Sequence, residues 1–253
     1  MGFPAVIQGN EGDQFGDQVT ALYPLGQKMM LPDGRVFRYA LMGGTIGVAN
    51  KLYQSEVPLA GWLAEAIITA IGKQDTRIDG VNSSQAIPAN VFDEGYVMLE
   101  ETDDLGAIWQ VKENEIVASG APGGVAHALR LKDGVTAGVI VAVAAGNVVD
   151  LIKNAWRDII IKPASDQTAL VAGVPPSIIA ASDWGWCQTR GVASCLVEGT
   201  TVIAEELRPS ATVAGAVARL DYGAADVADN GPCGRCIEVA PDADFCLIFL
   251  TID

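Results

Sequence analysis

The chain has 253 residues, half of them apolar and 19% charged, which excludes a disordered or collagen-like protein and allows a sizeable core. Its 31 acidic and 16 basic residues give a net charge of −15, so the chain repels polyanions and we do not expect it to bind nucleic acid. The single histidine, His127, excludes multi-histidine metal sites and most proton shuttles that work near neutral pH.

The first 20 residues predict an extended N-terminal arm. Residues 1–19 (MGFPAVIQGNEGDQFGDQV) contain Gly, Gln, Asn and Asp where a helix or strand would place periodic apolar residues. We expect such a segment to become ordered only when a partner binds it. Its apolar residues are the candidates for that contact: Phe3, Pro4, Val6, Ile7 and Phe15. The segment lacks the basic stretch and apolar run of a secretory signal, so we expect the protein to be made and folded in a cytoplasm.

A β-hairpin is predicted next. Two short alternating runs, residues 22–30 and 35–41, flank Asp33 and Gly34. Asp-Gly between such runs is a strong hairpin pattern, because the turn requires positive φ at residues that tolerate it. Gly43 and Gly44 then interrupt the chain before a short strand predicted within residues 46–53.

Residues 61–71 (GWLAEAIITAI) leave two interpretations open. Their length and apolar content suit a helix of about three turns. The β-branched residues Ile67, Ile68, Thr69 and Ile71 favour a strand, because branching at Cβ restricts the side chain in a helix.

The rest of the chain predicts short strands separated by Gly or Pro at intervals of 8 to 15 residues. We expect strands at 95–99, 107–111, 126–131, 139–144, 148–152, 158–161, 185–189, 193–197, around 203, and at 214–220, 234–239 and 246–252, with Asp133 and Gly134 as a second hairpin turn. This spacing is typical of a β-sandwich or barrel. The predicted fold class is therefore mainly β, with sandwich or barrel modules, an extended N-terminal arm and little helix.

The most apolar stretch covers residues 135–150 (VTAGVIVAVAAGNVVD). A helix that crosses a bilayer needs about 20 apolar residues, and this stretch is shorter. We therefore expect no membrane partner.

An acidic cluster at Glu100, Glu101, Asp103 and Asp104 follows a predicted strand. Such carboxylates suit a calcium loop or acid–base catalysis. The cluster lacks the alternating Asp residues and the closing Glu of a calcium loop, so a charged surface turn between two strands is the simpler interpretation.

A glycine-rich stretch at residues 119–124 (SGAPGG) precedes His127. No Lys-Ser or Lys-Thr follows it, and Pro122 removes an N–H donor that a phosphate cradle uses, so we interpret it as a loop. We interpret His127, in an alternating stretch, as a strand residue. No motif names a reaction, and we expect neither an enzyme nor a bound cofactor or metal.

Five cysteines lie in the last quarter of the chain: Cys187, Cys195, Cys233, Cys236 and Cys246. An odd number argues against a disulfide framework. Cys233 and Cys236 have CxxC spacing, but the sequence has no second such pair to complete a zinc site. The residues that follow predict a strand, whereas a redox-active pair needs a helix there to lower the thiol pKa. We predict buried, reduced thiols that act as small apolar residues.

Five tryptophans allow either a sugar-stacking platform or anchors in a core or subunit interface. Trp184 and Trp186 are two residues apart and share one sheet face if both lie on one strand. We take both as candidate interaction residues.

No low-complexity linker divides the chain. The change in composition around Val174 to Pro176 and the break before Trp184 place the best boundary near residue 180. The predicted organisation is an arm at 1–20, a β-rich main domain at 21–180 and a C-terminal β module at 181–253.

The C-terminal part resembles the closing module of virion proteins encoded in the head gene clusters of tailed phages. The resemblance lies in residues 185–200 (GWCQTRGVASCLVEGT), in Pro209 and Ser210, and in residues 213–217 (VAGAV). Residues 23–26 (YPLG) and 33–40 (DGRVFRYA) are similar to the opening of the same proteins, and residues 95–98 (GYVM) to one interior strand. The cysteines and the apolar run near residues 66–71 depart from the pattern.

This resemblance implies a head decoration or cement protein, mainly β and usually trimeric, that binds the major capsid protein on the outside of the shell. It carries over no functional residues. A polar arm, an acidic surface and the lack of a catalytic motif suit a protein that binds other proteins. The expected location is the capsid exterior of the virion.

Other functions remain open. A tail or fibre protein would use Trp184 and Trp186 to bind glycans, and an enzyme of unknown chemistry would use carboxylates such as Asp103 and Asp104. A major capsid subunit is disfavoured because its long helix and charged extended loop are not evident in the sequence.

Overall fold

A computed structural model describes residues 4–82, 85–100, 106–116, 128–132, 143–222 and 230–253. Its first strands are β1 (Val6–Gln8), β2 (Asp17–Gln18), β3 (Lys28–Met30), β4 (Val36–Leu41) and β5 (Tyr53–Gln54). The middle strands are β6 (Glu65–Ile67), β7 (Arg77–Asp79), β8 (Val81–Asn82), β9 (Tyr96–Leu99), β10 (Ile108–Asn114), β11 (Ala128–Leu131) and β12 (Val148–Ile152). The last strands are β13 (Ile160–Ile161), β14 (Val171–Gly173), β15 (Trp184–Glu198), β16 (Glu206–Pro209), β17 (Val217–Arg219), β18 (Gly234–Cys236) and β19 (Phe245–Thr251).

The chain divides into two units that differ from the predicted domains. Unit 1 contains Met1–Val57 and Ala155–Asp253, and unit 2 contains Pro58–Asn154. The predicted boundary near residue 180 falls inside unit 1, because β15 pairs with β4 and β2 from the beginning of the chain. Along the sequence, unit 2 is inserted between β5 and β13. These two strands of unit 1 pair with each other through Gln54 and Ile160.

Unit 1 contains a nine-stranded sheet that closes partly into a barrel. The strand order is β1-β3-β4-β15-β17-β16-β18-β19, and β2 pairs with the beginning of β15. Because β15 also pairs with β19, the five strands from β15 to β19 form a closed ring. The buried side chains inside this ring include Val197, Leu207, Val217, Ile248 and Leu250.

Strand β15 joins the open part of the sheet to the barrel. Its first half pairs with β4, and its second half pairs with β19 from Arg190 to Leu196. A register shift between Gln188 and Arg190 allows the strand to change neighbours, and Gly191 beside it has a φ of +90°. The predicted strands 185–189 and 193–197 are therefore one long strand.

Unit 2 is a closed β structure of its own. Its sheet has the order β7-β11-β10-β9-β12-β6-β8, and only Gly80 separates β7 from β8 in sequence. The outermost strands are thus consecutive, and Gly80, with a φ of +73°, bends the chain so that it completes the ring. Apolar side chains such as Phe92, Val97, Val111 and Leu151 fill the interior.

The predicted fold class is confirmed. Within the described residues, the helical content is a single 3-10 turn at Ala60–Trp62, and strands dominate both units. The helix considered for residues 61–71 is wrong, because Glu65–Ile67 forms β6, a bend follows at Ile68 and Thr69, and Ile71 bridges to Val143. The Asp33 and Gly34 hairpin is confirmed: β3 and β4 pair antiparallel across it, and Gly34 has a φ of +88°.

Other expectations were less accurate. The strand within residues 46–53 is reduced to Tyr53–Gln54, and Ile203 lies in a turn, while the neighbouring strand Glu206–Pro209 was missed. The Asp133 and Gly134 turn and most of the strand at 139–144 lie outside the described residues.

Candidate interaction surface

Trp184 and Trp186 lie on β15 and both contact Tyr39 of β4. The Trp184 ring stacks on Tyr39 at 5.6 Å, and the Trp186 ring meets Tyr39 edge-on at 5.0 Å. The prediction that the two tryptophans share one face is therefore confirmed. Tyr23 completes the cluster at 5.4 Å from Trp186.

The two tryptophans differ in their access to solvent. Trp186 is 4% exposed and belongs to a core cluster with Met29, Phe37 and Tyr39, whereas Trp184 is half-buried at its edge. Trp186 is therefore a packing residue, because its ring has no free face to offer a sugar or a protein partner. Of the pair, only Trp184 retains surface for an external contact.

Residues 4–18 do not form a free arm. Strand β1 pairs in parallel with β3, and β2 pairs with Trp184 and Gly185 of β15. The Gln27 side chain anchors the beginning of the segment, since its Nε2 donates to the carbonyl of Pro4 at 2.8 Å. Hydrogen bonds within the chain's own sheet thus supply the order that we expected a partner to supply.

The candidate contact residues of this segment differ in position. Pro4 and Val6 are exposed, Ile7 packs partly against the aromatic cluster, and Phe15 is 52% exposed. Phe3 lies outside the described residues. Of the four that are described, Phe15 lines the groove of unit 1 presented below.

All five cysteines are free and buried, which confirms the prediction for them. Burial raises the pKa of the Cys187 and Cys233 thiols to about 12. A thiol with so high a pKa is protonated at neutral pH and is a poor nucleophile. Cys236 is the last residue of β18, and Cys233 immediately precedes the strand. Both side chains lie in the barrel core, so the two cysteines contribute to packing.

Most of the residues considered for catalysis lie outside the described part of the chain. These are Glu101, Asp103, Asp104, the loop at 119–124 and His127. Within the described ranges, no group of three or more His, Cys, Asp or Glu side chains is placed to hold a metal ion.

A buried lysine that the sequence did not single out organises one loop of unit 1. Lys162 is fully buried, and its ammonium group donates to the carbonyls of Ser165 and Ser210. Burial lowers its pKa. The Ser210 hydroxyl donates to Glu198 and accepts the N–H of Val213 at 2.8 Å, so this serine caps a turn and is not poised as a nucleophile.

A groove of about 830 Å³ lies on the outer face of unit 1. Its floor is the pair β15–β19, in which Val192 faces Phe249 and Ser194 faces Leu247. These residues alternate with buried Ala193, Cys195, Ile248 and Leu250, so they point away from the barrel interior. Val192, Leu247 and Phe249 are each 41–44% exposed, which gives the groove an apolar floor.

The walls of the groove carry positive charge. Lys28, Arg35 and Arg190 line it together with one carboxylate, Asp33. Arg35 is paired with Asp33 and Glu11, and Lys28 lies 3.6 Å from Asp253. Arg190 is exposed and forms no ion pair within the described ranges. On a chain of net charge −15, Arg190 is thus the residue of the groove wall whose positive charge no carboxylate in the described ranges offsets.

One edge of β15 is open along the groove. The N–H of Val197 donates to the carbonyl of Asp244, and the N–H of Ile252 donates to the carbonyl of Thr189. In this antiparallel pair, the backbone groups of the odd-numbered residues of β15 therefore bond to β19. The backbone groups of Val192 and Ser194 therefore face the other side of the strand. On that side the pairing with β4 ends at Arg190, the N–H of Leu196 donates to the carbonyl of Asn50 at 3.0 Å, and β17 begins at Val197. The open stretch is therefore short and centred on Val192 and Ser194.

The sequence contains a pattern that would have found this surface. Residues 245–251 (FCLIFLT) are apolar at nearly every position, although a strand with one face in water usually alternates with polar residues. The structure buries only the even-numbered residues of β19 and leaves Phe245, Leu247 and Phe249 partly exposed. A strand of a small barrel that has apolar residues on both of its faces thus indicates a contact surface.

No family model matches this chain, and no curated protein or solved structure is significantly similar to it. In the described ranges, the structure has no helix of the length and apolarity that a membrane crossing requires.

Proposed function

We propose that the protein is a virion structural protein, a decoration or cement protein that binds the major capsid protein on the outside of a phage head and stabilises the shell. The observation that carries this proposal is the partly exposed apolar surface of β15 and β19 on an otherwise acidic chain. An apolar patch of this kind, rimmed by polar residues, is typical of a protein-binding surface. The resemblance of the two ends of the chain to head-cluster proteins supports the same assignment.

The acidic surface fits this role. A strongly negative protein on a capsid exterior keeps particles soluble and mutually repelling. Negative charge also keeps the protein away from packaged nucleic acid, since polyanion binding requires a surplus of Lys and Arg. The proposed partners are the major capsid protein and further copies of this chain as a homotrimer, and the proposed role involves no cofactor, nucleic acid or membrane.

The alternative, a glycan-binding protein of the tail or fibre, loses part of its basis. It depends on Trp184 and Trp186 as a platform, but Trp186 is buried under Tyr23 and Tyr39. Stacking on a sugar would rest on Trp184 alone.

The test is the copy number and position of this chain in purified particles. A decoration protein is present in hundreds of copies, is located on the outer shell by immunogold labelling, and raises the temperature at which heads release their DNA. Absence from heads, or a few copies at the tail, would refute the proposal. Recombinant protein added back to stripped heads tests the stabilising role directly.

A further inference from the structure

We propose that the groove on β15 and β19 binds an extended acidic segment of a partner protein, which adds as a short strand along Val192–Ser194. The identity of that partner as the capsid shell rests on the proposed function, whereas the chemistry of the segment follows from the groove itself. Three features of the groove select such a segment: its charge, its apolar floor and its open backbone edge.

The guanidinium group of Arg190, unpaired within the described ranges, favours a partner with a carboxylate. Arg190 lies at the groove wall, exposed and without an ion pair among the described residues. Lys28 and Arg35 add positive charge, although their own carboxylates partly neutralise them. A partner carboxylate beside Arg190 gains a charge-assisted hydrogen bond, while a partner lysine would meet repulsion.

The apolar floor requires side chains at alternate positions of the partner. Val192 and Phe249 form one cross-strand pair on the outer face, and Leu247 is the next apolar residue along β19. An extended chain directs every second side chain to the same face. In the bound segment, the side chains on one face are valine or phenylalanine and cover the floor of the groove. The side chains on the opposite face carry carboxylates and point to the rim.

The open edge of β15 supplies the backbone contacts. Gln188 already fills part of this edge, because its Nε2 donates to the carbonyls of Arg190 at 3.1 Å and Val192 at 2.8 Å. The N–H of Val192 and both backbone groups of Ser194 point to the same side, and none of the described residues bonds to them, so an added strand can pair there. Strand addition of this type gives affinity through the main chain and specificity through alternate side chains.

A second copy of this chain is a less suitable occupant. Each copy carries a net charge of −15, so repulsion opposes a second copy in this groove, and the proposed homotrimer would form through other surfaces. A short partner segment with two or three carboxylates gains the local attraction of the groove without that penalty.

The test uses a fluorescein-labelled peptide in which valine and phenylalanine alternate with glutamate, and a matched peptide with lysine in place of glutamate. We expect fluorescence anisotropy to show saturable binding of the glutamate peptide, and at least about tenfold weaker binding of the lysine peptide. Equal affinities, or no binding of the glutamate peptide at millimolar chain, would overturn the proposal.

Two pairs of variants locate the binding. Leu247→Glu is expected to weaken binding by about tenfold or more, and Arg190→Glu by about three- to tenfold. The controls make the same chemical changes elsewhere: Ile203→Glu in an exposed turn and Lys73→Glu in unit 2. Loss of binding in the controls to the same extent, with all variants folded by circular dichroism, would mean that the groove is not the site.

Hydrogen exchange distinguishes strand addition from simple contact. We expect the amides of Val192 and Ser194 to exchange rapidly in the free chain and about tenfold more slowly with saturating glutamate peptide. Unchanged exchange with full peptide binding would refute the added strand.

The proposal and the proposed function fail separately. Peptide binding by a chain that is absent from heads would refute the decoration role alone. A chain that is abundant on heads, but whose attachment and peptide binding ignore Arg190→Glu and Leu247→Glu, would refute the groove alone. Concentration-dependent dimers or trimers abolished by Leu247→Glu would assign the groove to a second copy and overturn the partner proposed here.

Discussion

Cys195 of β15 and Cys246 of β19 face each other directly in the barrel core. Their pair is one of the hydrogen-bonded pairs of this ladder, in which Cα atoms are about 5.5 Å apart. That separation lies within the range of disulfides, yet both thiols are free. The barrel thus combines close cysteines with the exclusion of solvent, and two measurable properties follow from this combination.

The thiols are expected to be unreactive in the folded chain. At pH 8, we expect a colorimetric thiol reagent to modify the five cysteines at least about 100-fold more slowly in the native protein than in urea, because all are buried. A thiol that reacts at once in the native protein would contradict the packing of the barrel.

The same burial makes stability fall at alkaline pH. The pKa of Cys233 is about 12 in the folded chain and about 8.5 when unfolded, so its stabilising effect is complete below pH 8.5 and declines as pH rises toward 12. We expect the free energy of unfolding to fall by about 1–2 kcal/mol per such thiol between pH 8.5 and 10. Cys233→Ala should flatten this dependence in urea titrations, and an equally steep slope would contradict the assignment.

Trp186 and Trp184 should differ in their contribution to stability. We expect Trp186→Ala to lower the free energy of unfolding by about 3–5 kcal/mol, because it leaves a cavity between Tyr23 and Tyr39. Trp184→Ala serves as the matched control and should cost about 1–2 kcal/mol, since its ring is already half solvated. Urea unfolding measures both, and similar losses would indicate that Trp186 is not a core residue.

Lys162 should be required for the loop that it organises. We expect Lys162→Met to destabilise the chain by about 2–4 kcal/mol, because the carbonyls of Ser165 and Ser210 would lose a shared donor. Lys73→Met, at an exposed turn, should change stability by less than about 0.5 kcal/mol. Thermal unfolding compares the two variants, and a neutral Lys162→Met would show that water replaces the ammonium group.

Asp253 should stabilise the sheet only above acidic pH. Its carboxylate accepts hydrogen bonds from Arg38 Nε at 2.7 Å and Nη2 at 2.9 Å. These bonds, with the charges of Arg38 and Lys28, lower the pKa of Asp253. The stabilisation is therefore present above the unfolded pKa of about 3.9 and is lost as pH falls through the lower folded pKa.

Asp253→Asn tests this dependence. We expect a loss of about 0.5–1 kcal/mol at pH 7 that disappears toward pH 2, measured by urea unfolding. Glu238→Gln removes an equal charge at an exposed position of the same unit and should have little effect at either pH. A pH-independent loss for Asp253→Asn would mean that the side chain acts through packing.

The sequence predicts local structure well where one residue type forces a conformation. Asp33 and Gly34 specify their turn because few residues adopt positive φ, and the β-branched residues near Ile67 favour the strand that forms there. The long-range organisation was not accessible in the same way. Nothing in the composition near Pro58 or Ala155 differs from its surroundings, although the chain leaves and re-enters unit 1 there.

The candidate surface was only partly predictable. Phe15 is a candidate contact residue because it is apolar in a polar segment, and it lines the groove. Trp186 is a candidate contact residue because tryptophan is common in binding surfaces. The burial of its ring depends on Tyr23 and Tyr39, which are distant in sequence. The exposure of Leu247 and Phe249 depends on which neighbours cover β19, and pairing over more than 50 residues is not encoded locally.

The pairing of β5 with β13 means that residues 58–154 occupy the place of a hairpin loop in unit 1. The entropic cost of closing such a loop rises only slowly with its length. The closure cost alone therefore allows residues 58–154 to be replaced by a short turn, and we expect the register of β15 against β19 to stay the same in such a variant.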